Sequence, residues 1–248
     1  MSIYYSIPPQ VYDDQFWWKK DDLEFWKNEL DIKKANILEL GSGTGRIAES
    51  LIGLDLDYTG LDLSSEYTLF AKNKFKQHDN FSFVQGDMSH FSLNKKYDII
   101  FIAFNSFLHL LQYDDAVKCL AAISEHMHSK SRLIIDIFVP HPLFLYRPKN
   151  LKMHIVDFYN KVEKEEQEIN EILDYDSETE IANVQWIYSN KKNNNLYTFK
   201  FMMKMYYPET MHTLFENSDI SILDYWGDYD RSKFAEDSNL QIYSCGID

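Results

Sequence analysis

Three glycines in Glu39-Leu40-Gly41-Ser42-Gly43-Thr44-Gly45 constrain this chain more than any other feature of its 248 residues. They follow the short apolar run Asn36 to Leu40, which reads as a buried strand, and they open a helix from about Gly45 to Ile52. A strand that turns through glycines into a helix brings up backbone without Cβ atoms, together with the free N–H groups of a helix start. The dinucleotide fingerprint asks for glycines at 41, 43 and 46, and position 46 is Arg, so the spacing here is a different one. Taken alone, such a turn is also compatible with a purely structural role.

The surrounding pattern alternates strand and helix as far as about Val139. Asp13 or Asp14 is placed to cap one helix reaching about Leu30, with Phe16, Trp17, Leu23, Phe25 and Trp26 as its apolar set. Strands are predicted at Asp57 to Leu61, Phe81 to Gln85, Tyr97 to Ala103 and Arg132 to Val139. Between them lie helices over 65–77, with Ser64 as N-cap, and over 114–128. Such alternation implies right-handed crossovers and a parallel sheet.

Past Val139 the character changes. Ten Asp/Glu and three Lys fall between Leu151 and Glu180, where a solvated strand face is the plain reading. Ile181 to Tyr188 and Leu196 to Tyr207 are rich in β-branched and aromatic residues, with the turn signal Asn193-Asn194-Asn195 between them. A helix is expected over 209–217 behind Pro208, then closing strands at Ile220 to Trp226 and Leu240 to Cys245.

Composition removes several classes. With 25 basic and 39 acidic residues the net charge is −14, which opposes nonspecific nucleic-acid binding because no cationic excess is available to release counterions. Cys119 and Cys245, both in apolar surroundings, make neither a disulfide framework nor a zinc site and read as core residues. His141 and His154 show no metal-ligand spacing, so no metal is expected. The N-terminus carries no secretory pattern, and Ile99 to Leu111 is too short and polar to span a bilayer. A cytoplasmic protein without membrane or nucleic-acid partners is expected.

Two acids sharpen the glycine turn. Asp62 ends the second strand, where two acceptor oxygens match the vicinal hydroxyls of a ribose, although an N-cap role is the bland alternative. At that edge its side chain is expected to be partly exposed, so Asp62→Ala should cost ligand affinity far more than stability. Asp87, in Gly86-Asp87-Met88 after the third strand, is able to accept from an exocyclic amino group while Met88 packs on an adenine face; a loop-capping Asp is the alternative. In an open α/β sheet, ligands bind at these carboxyl ends.

As a set, ELGSGTG, YTGLDLS, FVQGDM and YDIIFIAFNSFLHL resemble the class I S-adenosylmethionine-dependent methyltransferases over residues 36–138. The C-terminal stretch from Met205 to Ser244 resembles the ending of bacterial small-molecule members. The resemblance implies a Rossmann-like, seven-stranded, mostly parallel α/β sheet flanked by helices. Residues 1–147 and 208–248 would form it, and 148–207 would be an antiparallel β insertion covering the active site. Tyr4, Tyr5, Tyr12, Phe158, Trp186 and Tyr188 suggest that the insertion and the N-terminal segment form a lid.

The implied cofactor is S-adenosyl-L-methionine. Gly41, Gly43 and Gly45 would line its methionine part, Glu39 would orient its ammonium, Asp62 would take the ribose and Asp87 the adenine. Phe104 and Asn105 would lie beside the sulfonium, with Ser42, Leu63 and Met88 completing the contacts. The implied activity is methyl transfer to N or O of a small-molecule acceptor; action on RNA or protein, or a non-catalytic binding module, are the alternatives. His109 and Tyr12 are the catalytic candidates, against plain helix-surface and core roles. Tyr229 and Arg231, in the loop joining the last two strands, are the substrate candidates if the strand before them runs parallel to the sheet.

Overall fold

The computed structural model describes residues 7–192 and 194–247, so Tyr4, Tyr5 and Asn193 lie outside the described residues. The chain divides into two compact units, Asp21–Val139 with Tyr206–Asp248, and Met1–Lys20 with Pro140–Met205.

The larger unit is built on seven strands: β1 (Ala35–Leu40), β2 (Leu56–Asp62), β3 (Phe81–Gln85), β4 (Ile99–Ile102), β5 (Arg132–Phe138), β10 (Ile220–Trp226) and β11 (Leu240–Ile247). Their order is β10-β11-β5-β4-β1-β2-β3. The first five pair in parallel, β1 with β2 and β4, β2 with β3, and β4 with β5. β11 runs antiparallel to β5, and β10 antiparallel to β11. Two reversals make β10 parallel to β5, so the loop after Trp226 leaves from the carboxyl end.

All four residues of β4, Ile-Ile-Phe-Ile, are buried, as expected of a strand covered on both faces. Against one face Trp26 of α2 (Leu23–Leu30) lies 4.8 Å from the ring of Phe101. Phe75, following α4 (Ser65–Lys74), stacks on Phe81 at 5.2 Å. Ser64 caps α4, its hydroxyl accepting from Tyr67 N–H at 3.2 Å. α5 (Tyr113–Glu125) buries Ala116, Cys119, Leu120 and Ile123, and α7 (Pro208–Glu216) buries Met211, Leu214 and Phe215. Cys119 and Cys245 are buried and free.

One expectation fails here. The single helix to Leu30 is two, α1 (Pro9–Gln15) and α2, with Trp17 and Trp18 exposed between them. Neither Asp13 nor Asp14 caps it; Pro8 stands at the N-cap, and the buried Asp14 carboxylate accepts from Lys161 N–H at 2.8 Å. Two opposed local preferences explain the break: Pro9 sets the start early, and Asp22 is drawn out to pair with Arg46.

The smaller unit is a four-stranded antiparallel sheet, β6 (Met153–Asn160), β7 (Glu165–Asp176), β8 (Ile181–Asn190) and β9 (Asn195–Lys204), in sequence order. On β7 burial alternates: Gln167, Ile169, Glu171 and Leu173 face inward, and Glu166, Glu168, Asp174 and Asp176 lie on the wetter face. The inward Glu171 pairs with Arg147 and accepts from Trp186 Nε1 at 2.9 Å. Residues up to Lys20 go with this unit, where the sequence reading placed them with the larger one. Phe158 and Tyr188, at 2% and 0% exposure, pack with Val11 and the partly buried Tyr12 and Trp186. Of the aromatics that suggested a lid, Phe158 and Tyr188 thus belong to this unit's core cluster, with Tyr12 and Trp186 packed against it. Among the described residues no helix is long and apolar enough to cross a membrane.

Candidate functional site

At the carboxyl edge of the larger sheet, the N–H groups of Gly41 and Ser42 both donate to Leu61 O, at 2.8 and 3.1 Å. This ties the end of β1 to β2. Gly41 sits at φ +76°, and a Cβ there would lie 2.7 Å from Ser106 Cβ and 3.7 Å from Met88 Cε. Only glycine lets the ends of β1, β3 and β4 approach this closely. Ser42 is buried with its side chain toward Gly60, whose own missing Cβ would meet it at 2.7 Å.

Two carboxyls stand beside the turn. Asp62 accepts from Gly43 N–H at 2.7 Å and from Ser64 N–H at 2.8 Å, one bond on each oxygen. It is only 6% exposed, which corrects the expectation of a partly open acid. Burial pushes its pKa up to about 6 against the pull of those two bonds. Glu39 is equally enclosed and accepts the hydroxyl of Tyr58. Burial raises its pKa to about 8, with Tyr58 and Arg46 opposing and the charges of Asp62 and Asp22 adding to the rise. The same enclosure and the Glu39 charge push the Tyr58 phenol well above its ordinary value. Arg46 is held by both oxygens of Asp22, at 2.8 and 2.7 Å, and lies 5.2 Å over the ring of Phe104.

Phe104 and Asn105 form the corner after β4, with φ of +51° and +66°. Two successive non-glycine residues in this region cost about 1–2 kcal/mol each. Asp136 holds them: its Oδ1 accepts from Phe104 N–H at 2.6 Å and its main-chain oxygen from Asn105 N–H at 3.3 Å. Leu63, beyond Asp62, is an exposed apolar side chain at 46%, and Met88 is half-buried. Asp87 Oδ1 accepts from Ser89 N–H and Oγ, both at 2.8 Å, and its other oxygen lies 3.8 Å from His90 Nδ1, with the side chain partly exposed.

The acceptor candidates scatter. His109 is half-buried at the end of the turn Ser106–His109. Tyr12 lies in α1 of the smaller unit, edge-on to Phe16 at 4.8 Å. Tyr229 donates its hydroxyl to Asp136 Oδ2 at 2.6 Å, and Arg231 pairs with Glu29. Both line a cleft of about 600 Å³ with Asp21, Glu24, Phe25, Asn28 and Asp230. Among the described residues, His154, Asp157 and Glu168 bring ligand atoms within 4.8 Å of one another, a convergence their spacing did not reveal. Already bonded to one another or to Ser189 and Asn170, they form an ordinary polar patch on the sheet. Sequence reasoning also missed Asp136, Asp22 and Tyr58. A lone carboxylate inside Leu133-Ile-Ile-Asp-Ile-Phe138 was the available signal for the first.

Comparison with known proteins bears on this edge directly. Residues 37–130 match the family model described as a methyltransferase domain. Over residues 37–130, then, the chain is similar to a methyltransferase domain. The match takes in the glycine turn, Asp62, Asp87 and the Phe104-Asn105 corner. YqeM of Bacillus subtilis (strain 168), a candidate methyltransferase by its name, is 27% identical over 106 residues, 42% of this chain and 43% of YqeM. The match thus spans less than half of that relative. Among solved structures, an S-adenosylmethionine-dependent methyltransferase from Clostridium acetobutylicum ATCC 824 superposes with a TM-score of 0.78 at 20% identity, covering 96% of each chain. The sugar N-methyltransferase KedS8 from Streptoalloteichus sp ATCC 53650 gives 0.69 at 13%, covering 90% of this chain and 86% of KedS8. The chain thus shares its fold with structures of the S-adenosylmethionine-dependent methyltransferase class.

The residues present fit that class's cofactor, a cation with a zwitterionic end and an adenine. Glu39 is a buried carboxyl held neutral for want of a full counter-charge, which an ammonium would supply. Exposed Leu63 and half-buried Met88 offer apolar cover for a flat base, with the Asp87 carboxylate nearby in sequence.

Proposed function

We propose that this chain transfers a methyl group from S-adenosylmethionine to a small-molecule acceptor, with an amine nitrogen as the atom methylated. The convergence of Glu39, Gly41, Asp62 and the Phe104-Asn105 corner at one edge of a methyltransferase domain carries this reading. Glu39 would hold the ammonium, Asp62 the ribose, Asp87 with Leu63 and Met88 the adenine, and Gly41, Ser42, Gly43 and Gly45 the methionine part. When bound, the cofactor supplies a methyl group already activated by its sulfonium, so the protein's task is alignment and exclusion of water.

The amine follows from the cleft beside Tyr229. Asp21, Glu24 and Asp230 line it with the rings of Phe25 and Tyr229, and the cation there, Arg231, is paired with Glu29, so the setting favours a cation. KedS8, a sugar N-methyltransferase of the same fold, supports the choice of nitrogen. An ammonium must shed its proton before attack, and His109 is the group assigned to take it. The net charge of −14 weighs against a nucleic-acid acceptor.

Titration calorimetry with S-adenosylmethionine, followed by assay of S-adenosylhomocysteine release over a panel of small amines and alcohols, tests this. Binding without turnover across the panel would favour a non-catalytic module, and no binding would overturn the reading.

A pH dependence follows from Glu39. Its pKa in the folded protein, about 8, lies above the ordinary 4.5, so the folded state favours the neutral acid. The stability this gives is complete below pH 4.5 and is lost as pH rises through 8. Relative to Glu39→Gln, the apo melting temperature of the wild type should therefore fall between pH 6 and 9. A bound ammonium favours the carboxylate, so binding releases a proton and tightens with pH by up to about tenfold per unit below pH 8. Calorimetry in buffers of different ionisation enthalpy reads that proton; Glu39→Gln should abolish it.

A further inference from the structure

We propose that Tyr229 and Asp136 form a strut that sets the Phe104-Asn105 corner, making Tyr229 a positioning residue for the transfer. The positioning role rests on the function proposed above; the strut itself does not.

Asp136 is 2% exposed, and each of its side-chain oxygens accepts a bond from the corner or from its support. One oxygen takes Phe104 N–H, its main chain takes Asn105 N–H, and the other oxygen takes the Tyr229 hydroxyl. Asn105 answers with its side chain, Oδ1 accepting from Phe138 N–H at 2.8 Å. The two left-handed residues are thus tied to β5 at three points, as strained backbone requires if it is to persist.

Tyr229 comes from far along the chain, 93 residues past Asp136. Its ring is fixed by Phe25 at 5.5 Å, and Phe25 in turn meets Trp226 at 6.1 Å. Burial and the Asp136 charge push the phenol's pKa upward, so it stays a donor at any working pH. The corner also leads directly to Ser106, whose Cβ lies where a Gly41 Cβ would clash. A shift of the corner is therefore a shift against the glycine turn. Transfer chemistry is sensitive to displacements of this size, with a 1 Å error able to cost about a hundredfold. The loop Gly227 to Ser232, read from sequence as a substrate contact, thereby gains a second role through Tyr229.

Tyr229→Phe keeps the ring packing and deletes only the hydroxyl. In the apo variant, NMR-resolved hydrogen exchange at the amides of Phe104 and Asn105 should quicken at least tenfold, with β2 and β3 unchanged. Asp136→Asn, with one acceptor oxygen replaced by a donor, should quicken the same amides. The dissociation constant for S-adenosylhomocysteine, measured well below the melting temperature, should rise three- to tenfold in Tyr229→Phe. Unchanged exchange at the corner in both variants would overturn the strut. Quickened exchange with unchanged affinity would overturn the positioning role. Wild-type protein binding neither S-adenosylhomocysteine nor S-adenosylmethionine would overturn the functional reading, and the positioning role with it.

Discussion

Gly41→Ala is expected to lower cofactor affinity more than a hundredfold and to destabilise the apo protein by about 2–4 kcal/mol. Two separable costs produce the loss. One is the backbone, because φ +76° is a conformation that a residue with a Cβ adopts only at about 1–2 kcal/mol. The other is contact, because the new methyl would lie 2.7 Å from Ser106 Cβ and 2.8 Å from its Oγ. Relief of that overlap must move the β4 corner or the turn, and overpacking costs about 1–3 kcal/mol. Gly53 supplies the control: it sits at φ +92° with nothing within 4 Å, so Gly53→Ala should show the backbone cost alone. The double variant Gly41→Ala/Ser106→Gly should recover the contact part. Urea titration and calorimetry check all four proteins. A Gly41→Ala protein as stable as the wild type would mean that the turn is not tightly engaged with Ser106.

Asp62→Ala carries the second large effect. From sequence this acid was expected to cost affinity and spare stability. Its burial, with one backbone N–H on each oxygen, changes that expectation. Removing it leaves the Gly43 and Ser64 amides without their acceptor, at about 1–3 kcal/mol each, while relieving a carboxylate that is costly to bury. The balance depends on pH. The folded pKa of about 6 exceeds the ordinary 3.8, so the acid's stabilising contribution is complete below pH 3.8 and is lost as pH rises through 6. The deficit of Asp62→Ala should therefore be about 3–4 kcal/mol near pH 4.5 and shrink to about 1–2 at pH 8. Affinity for S-adenosylmethionine should fall at least tenfold, since Gly43 loses its anchor and the ribose its acceptor. Chemical denaturation at both pH values reads the first effect and titration the second. A deficit that grows toward pH 8 would contradict the assigned burial.

Much of the fold was legible because its periods are clean. The apolar runs of β1, β4 and β5 have few alternatives to buried parallel strands, and Ser64 announces α4. The acidic stretch was harder to read: β7 alternates, but with Glu171 on the inner face, where its partner Arg147 comes from outside the strand. The break between α1 and α2 was hidden because the Asp22–Arg46 pair that accompanies it spans 24 residues. In the site, glycines and strand-end acids carry local signals. The Asp136–Tyr229 and Glu39–Tyr58 bonds do not, because spacing along the chain says nothing of which side chains meet across a sheet.

The order of strands sets an order of assembly. β10 joins the sheet only through β11, which follows it in the chain and wedges between it and β5. A nascent chain emerging as far as Trp226 holds the glycine turn, both buried acids and Asp136, yet the strand that precedes Tyr229 has no neighbour to pair with. On this topology the phenol is expected to reach its carboxylate when Leu240–Ile247 slots into place, which pulsed hydrogen exchange during refolding would check. During synthesis, then, the glycine cradle is in hand before the strut, and maturation of the active edge waits on the last strand to dock.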